Sequence, residues 1–291
     1  MPHNPVHPPP PSEAARRWLG APSGGARSEF ARQTPHTRVV LWTWQDRRVV
    51  EKTHLDPARA SREQAALAPT GAAGQLGASP TLIDTATDPS GAVVLLLEWI
   101  PASPALPTPA TLEAAGHWLA RLHATPSTTP DPLPLGTALH RRWRGLVRRS
   151  RRVIDPAALD TISALVGPPT RLGQCKRVFC HRDFTPDNWL WQAISSKLWV
   201  LDLEHARPDA PAADLVKLES ELFVARPELR AAFYSGYGPP LPDNEMRSWR
   251  AWHGLATWTW GMRQGEAHFQ RLGARILADL GVAVPGRADA Y

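Results

Sequence analysis

His181, Asp183 and Asn188 stand close together in the run VFCHRDFTPDNWLW (178–191), with apolar residues on both sides. Beyond Asn188 the chain reads WLWQAISSKLWVLD: an apolar run, a polar turn and a second apolar run. That pattern predicts a hairpin that returns Asp202 to the vicinity of Asn188. Asp183, Asn188 and Asp202 would then converge at one edge of the surrounding structure. Two carboxylates and an amide oxygen are hard donors suited to Mg²⁺. They also suit phosphoryl transfer, in which cations neutralise phosphate charge and an aspartate accepts the proton of the attacking hydroxyl. The competing reading is a surface turn followed by a strand-end cap. Zinc is a poorer fit: Cys180 precedes His181, but no second pair of ligands lies nearby. Cys175 and Cys180 read instead as two reduced, partly buried thiols.

The elements that must position these residues follow from periodicity. TRVVLWTW and RRVVEKTH are rich in β-branched and aromatic residues and flank the two-residue connection Gln45-Asp46, which predicts a hairpin. DPARASREQAALA predicts a helix with Asp56 as N-cap and Pro57 at its first position. PTLIDTATD and AVVLLLEWI predict a second hairpin around Pro89-Ser90-Gly91, and the proline-rich PASPALPTP cannot continue it. Beyond Thr108-Pro109 the pattern turns helical, with Leu112, Ala115, Trp118, Leu119 and Leu122 at helical spacing. An arginine-rich helix follows (ALHRRWRGLVRRSRRV), then PAALDTISALV, the polar loop, the strand KLWVLDLEHA and one or two tryptophan-rich helices over 246–280.

The ordered set resembles the aminoglycoside and choline kinase-like phosphotransferases. HRDFTPDN followed by VLDLE is similar to that family's catalytic loop and metal-binding segment. The resemblance implies an α+β, bilobal protein-kinase-like fold, with an N-terminal antiparallel sheet lobe carrying one helix and a larger, mainly helical C-terminal lobe. It implies that Asp183 is the catalytic base, that Asn188 and Asp202 are metal ligands with Glu204 a second acidic group beside them, and that His181 is structural in the loop. RRVVEKTHL resembles the strand whose lysine grips the α- and β-phosphates, which makes Lys52 that residue and Glu63 its partner from the next helix. VVLLLEWIPASPAL resembles the hinge that binds adenine through backbone groups near Glu98 and Ile100, and PAADLVKL the segment in which Asp214 anchors the loop. The phosphate-covering turn falls at RQTPHTR, which lacks glycine; Thr34 and Thr37 are its candidate phosphate donors. The implied organisation is a disordered proline-rich tail (1–12), a nucleotide-binding lobe (13–98), a hinge (99–108) and a lobe with the catalytic loop and acceptor site (109–291).

The departures bear on the substrate. Arg182 stands where this family usually has glycine, and Thr185 replaces the lysine that protein-serine kinases place two residues after the base. EHARPDAPAADL leaves no room for a long activation loop, which favours a small-molecule hydroxyl over a protein. ATP and Mg²⁺ are the implied cofactors; sugar, amino alcohol, nucleoside and antibiotic acceptors stay open. The glycine-free turn keeps a catalytically weak pseudokinase, acting as a nucleotide sensor or scaffold, as the alternative.

Composition bounds the rest. The chain has 291 residues, enough for two lobes with a substantial core, and carries a net charge of +6. The basic excess is nearly all arginine; lysine occurs only at Lys52, Lys176, Lys197 and Lys217. Seven arginines between Arg141 and Arg152 raise the idea of a nucleic-acid-associated protein, but a solvated helix face is the expected use and a nucleic-acid partner is not. No apolar run is long enough to cross a bilayer and MPHNPVHPPPPSEA lacks a signal-peptide pattern, so no membrane association and a cytoplasmic location are expected.

Overall fold

The computed structural model describes residues 10–88, 90–126 and 133–284. Most of the tail expected over 1–12, and Pro89 in the expected turn, lie outside the described residues. In chain order the elements are α1 (Glu13–Leu19), β1 (Arg27–Gln33), β2 (Thr37–Trp44), β3 (Arg47–His54), α2 (Pro57–Leu67), β4 (Leu82–Thr87), β5 (Val93–Glu98) and β6 (Ser103–Pro104). There follow α3 (Pro109–Ala124), α4 (Leu135–Ser150), α5 (Pro156–Val166), α6 (Pro169–Leu172), β7 (Val178–Cys180), β8 (Trp189–Gln192), β9 (Lys197–Val200) and β10 (Arg207–Asp209). The chain ends in α7 (Ala212–Lys217), α8 (Phe223–Ala225), α9 (Glu228–Tyr237), α10 (Asp243–Gln264) and α11 (Ala267–Ala278).

Two units make up the chain: Met1–Leu106 with Pro186–Arg207, and Pro107–Thr185 with Pro208–Tyr291. The expected boundary assigned 186–207 to the helical lobe. These residues belong to the first unit because β8 pairs with β6 and the Val200 N–H donates to Ala78 O at 2.9 Å.

The first unit is built on an antiparallel sheet of order β1-β2-β3-β5-β4. β3 is central, with Lys52 opposite Val39 on one side and Leu95 on the other. Side chains alternate across a strand, so Val49 and Glu51 face one way and Lys52 and His54 the other. Val40, Trp42, Val49 and Leu96 form a core with Ala15 and Leu19 of α1. α1 was not expected, and it changes two expectations. The unit has a helix besides α2, and the proline-rich tail gives way to ordered chain before residue 13: Ser12 caps α1 and its N–H donates to Glu51 Oε2 at 2.9 Å. α2 begins as its sequence requires, with Asp56 accepting from the Ala58 N–H and Pro57 at the first position.

The second unit is mainly helical. α3 opens on Thr108 and Pro109, and packs against α9 so closely that Gly116 and Gly236 leave no room for a side chain. α10 packs on α11, α5, α7 and α4. The tryptophan-rich segment breaks into α10 and α11 at Gly265, whose φ of 74° lies in the left-handed region that glycine tolerates. β7 and β10 form a two-stranded sheet at the entrance to the polar loop. Among the described residues no helix is long and apolar enough to cross a membrane.

Candidate active site

Lys52 is the centre of the polar cluster in the first unit. Its Nζ lies 2.7 Å from Glu63 Oε2, 2.8 Å from Asp202 Oδ1 and 3.7 Å from Glu204 Oε2. α2 delivers Glu63 to the Lys52–His54 face of the sheet, where Glu63 also meets His54 Nε2 at 2.7 Å and accepts the Leu203 N–H at 3.3 Å. An ionised carboxylate only accepts, so His54 carries its proton on Nε2. Burial alone would lower the Lys52 pKa, but Glu63 and Asp202 outweigh it and raise the pKa above the usual lysine range. Burial pushes Glu63 up; Lys52 and the His54 hydrogen bond overcome it and hold Glu63 below the usual carboxylate range. Both groups are therefore charged at neutral pH, in a site that excludes most water.

β8 and β9 pair from Trp189↔Val200 to Gln192↔Lys197, and the Leu201 N–H donates to Asn188 O at 2.9 Å. The hairpin thus brings Asp202 back beside Asn188. β9 stops at Val200, short of the strand expected over KLWVLDLEHA, because Asp202 takes a left-handed φ of 63° that a pleated strand cannot accommodate. Its carboxylate is 37% exposed, against 8% for Glu204. Asp202 and Asn188 both carry side-chain oxygens of the hard type that Mg²⁺ takes. Glu204, expected as a second acidic group beside that pair, lies 3.7 Å from Lys52 Nζ and has partners of its own. Its Oε1 pairs with Arg59 at 2.6 Å, its Oε2 accepts from the Thr37 hydroxyl at 3.1 Å, and its carbonyl accepts from Arg62 at 2.8 Å.

The expected phosphate donors are also otherwise engaged. The Thr34 hydroxyl accepts the His36 and Thr37 N–H groups and donates to Thr37 O, closing the β1–β2 turn, while the buried Thr37 hydroxyl is spent on Glu204. A turn this short uses its own hydroxyl for closure. At the hinge, the Glu98 N–H donates to Thr81 O, its side chain accepts from the Thr81 hydroxyl at 2.7 Å, and the Ile100 carbonyl accepts the Ala102 N–H.

In the second unit the loop is fastened from below. Asp214, buried in α7, accepts the His181 N–H at 3.0 Å and the Arg182 N–H, and meets His123 Nε2 at 2.9 Å. His123 must donate to it, and its Nδ1 meets the Tyr237 hydroxyl at 2.9 Å. His181 is fully buried beside Trp118 and Phe184, and its Nδ1 accepts the Asp183 N–H at 3.2 Å. Arg182 turns the chain with φ 67°. Asp183 emerges 31% exposed and forms an ion pair with Lys217.

Three residues of this arrangement escaped the sequence reading. Lys217 stands three residues after Asp214 on α7, and its scarcity in a chain with four lysines was a usable signal. Asp209 and Arg142 had none. Asp209 accepts both Nη atoms of Arg142, at 2.7 and 2.6 Å, and lies 2.9 Å from Arg182 Nε. The reading of the α4 arginines as a solvated face therefore fails at Arg142. Burial opposes the Asp209 charge, but Arg142 and Arg182 prevail and hold its carboxyl below the usual range.

Residues 21–255 match the family described as "Phosphotransferase enzyme family". The chain is 31% identical over 180 residues to an N-acetylmuramate/N-acetylglucosamine kinase of Caulobacter vibrioides, a match covering 54% of this chain and 47% of that protein. It therefore spans about half the length of that relative. Among solved structures it is similar to a thermostable mutant of aminoglycoside phosphotransferase APH(4)-Ia in ternary complex with AMP-PNP and hygromycin B (TM-score 0.69, 13% identity, 87% of this chain and 94% of that one). It is also similar to macrolide 2'-phosphotransferase MphH from Brachybacterium faecium (TM-score 0.62, 21% identity, 91% and 95%). These likenesses establish the α+β, protein-kinase-like fold, and with the match over most of its length the chain belongs to the phosphotransferase enzyme family.

Proposed function

We propose that the protein transfers the γ-phosphate of ATP, with Mg²⁺, to a hydroxyl of a small molecule. The observation that carries this reading is the buried Lys52 ammonium, held charged between Glu63 and a partly exposed Asp202. A purely structural ion pair needs no second carboxylate at the surface. Lys52 would bind the α- and β-phosphates, and Glu63 keeps its ammonium aimed. Asn188 and Asp202 would hold Mg²⁺, which when bound neutralises phosphate charge. Asp183 would accept the acceptor's proton as the new oxygen–phosphorus bond forms and the bond to the β-phosphate oxygen breaks, leaving ADP. Lys217 would restrain the Asp183 carboxylate between turnovers. Positioning and electrostatics supply most of the acceleration in such a reaction. The sugar kinase relative supports a sugar hydroxyl as acceptor.

The internal engagement of Thr34 and Thr37 favours one alternative, a nucleotide sensor with little transfer activity. Millimolar ATP with Mg²⁺ should raise the unfolding temperature, and Lys52→Met should abolish that rise. Stabilisation without acceptor-dependent ADP formation would select the sensor; absence of stabilisation would overturn both readings.

A further inference from the structure

A cavity of about 550 Å³ opens among α4, α7 and α10 in the second unit. Its walls follow from helical periodicity. Arg141, Gly145 and Arg149 lie four residues apart on α4; Ala213 and Lys217 do so on α7; Trp249, Trp252 and Ala256 share a stripe on α10. Each helix places a small residue, Gly145, Ala213 or Ala256, among the larger ones, and this opens the space. Gly145 also lies against the Arg149 guanidinium, which a Cβ would meet at 3.3 Å.

The charge in this cavity is one-sided. Arg141, Arg142, Arg149, Arg182 and Lys217 line it, and among the described residues no carboxylate does. Arg142 and Arg182 share the single buried Asp209 behind them, and Lys217 faces Asp183. Arg141 and Arg149 form no ion pair among the described residues and are exposed. Trp252 adds an aromatic surface, braced by Trp249 at 5.7 Å and Trp143 at 5.1 Å between ring centroids. The volume lies in the range of small-molecule sites.

We propose that this cavity binds the phosphate acceptor, and that the acceptor is a hydroxylated ring bearing a carboxylate or phosphate group. This rests on the phosphotransferase reading above. Arg141 and Arg149 meet the anionic group, Trp252 takes the ring face, and Lys217, which belongs both to the cavity wall and to the Asp183 ion pair, sets the hydroxyl end. Guanidinium groups suit both oxyanions through paired hydrogen bonds. A polycationic acceptor is repelled by the same residues.

Four hexoses with one ring plan test this: glucuronate, glucose 6-phosphate, glucose and glucosamine, each with ATP and Mg²⁺ and the full chain. At least one anionic sugar should exceed glucose in kcat/KM by about tenfold, a ratio set by charge-assisted hydrogen bonds, with glucosamine below glucose. The two anionic arms identify whether carboxylate or phosphate is preferred. The R141Q/R149Q double variant should bring the anionic-to-neutral ratio close to one, whereas Arg144→Gln, on the same helix but outside the cavity, should leave it unchanged. Equal or greater kcat/KM for glucose or glucosamine overturns the anionic acceptor while leaving the phosphotransferase reading intact. If no hexose is turned over, thermal unfolding without nucleotide decides. A rise with glucuronate or glucose 6-phosphate but not glucose, lost in R141Q/R149Q, upholds the anion site and places the failure on the transfer reading. No such rise overturns the anion site.

Discussion

Asp214→Asn is the most informative single change in the loop support. The substitution keeps shape and removes one acceptor oxygen. In the native protein Oδ2 accepts the His181 N–H and faces His123 Nε2, while Oδ1 accepts the Arg182 N–H. With the amide oxygen toward His181 and His123, the amide nitrogen confronts the Arg182 N–H; the opposite flip strands two donors. One buried unsatisfied donor costs about 1–3 kcal/mol, and replacing a charged acceptor by a neutral one weakens the remaining bonds by about 1 kcal/mol. The expected loss is about 3 kcal/mol. For a unit of about 160 residues that corresponds to a melting temperature lower by about 6–12 °C. Function should fall too. Arg182 holds a left-handed φ that costs a residue with a Cβ about 1–2 kcal/mol, and the bond to Asp214 holds it there. Once released, the backbone relaxes and carries Asp183 with it, and a shift on the order of 1 Å in the proposed base costs about 100-fold in turnover. Urea unfolding followed by tryptophan fluorescence, beside kcat for ATP-dependent transfer, reads both effects. Stability within about 0.5 kcal/mol of the native protein together with unchanged kcat would refute the anchoring argument.

Acid should weaken the protein in a defined direction. Asp209 and Glu63 have folded pKa values below their unfolded ones, so their stabilisation is complete above the unfolded value of about 4 and is lost as pH falls through the folded values. The urea midpoint should drop steadily below about pH 4, and a midpoint independent of pH from 5 to 3 would contradict this. Gly116→Ala should destabilise by about 1–3 kcal/mol despite alanine's better helix propensity, because its Cβ would sit 2.2 Å from Phe233 O on α9. An unchanged or higher urea midpoint would show that α3 and α9 are not in backbone contact.

What was legible in the sequence depended on how local the pattern was. The approach of Lys52 and Glu63 follows from strand order, the two-residue alternation of β3 and the capped start of α2, all local signals. The return of Asp202 to Asn188 follows from counting residues along a short hairpin. The pairing of Glu204 with Arg59 was not legible, because the two lie 145 residues apart on different elements. The Thr37–Glu204 hydrogen bond was hidden for the same reason, since the two residues are distant in the chain. α1 escaped because seven residues behind a proline tract carry too little periodicity, although Ser12 and Glu13 are good opening residues for a helix. The bidentate Arg142–Asp209 pair has no sequence signature: a surface arginine and a buried one look alike until a carboxylate is packed beside one of them.

Asp183 is proposed to take the proton of the acceptor hydroxyl. Asp183→Asn is nearly isosteric and cannot accept that proton at neutral pH. Single-turnover transfer from ATP with Mg²⁺ to the best acceptor, measured alongside ATP-induced thermal stabilisation, tests it directly. Transfer should fall by about 10²–10⁴-fold while the stabilisation by ATP and Mg²⁺ is retained. Transfer by Asp183→Asn within about threefold of the native rate would contradict it.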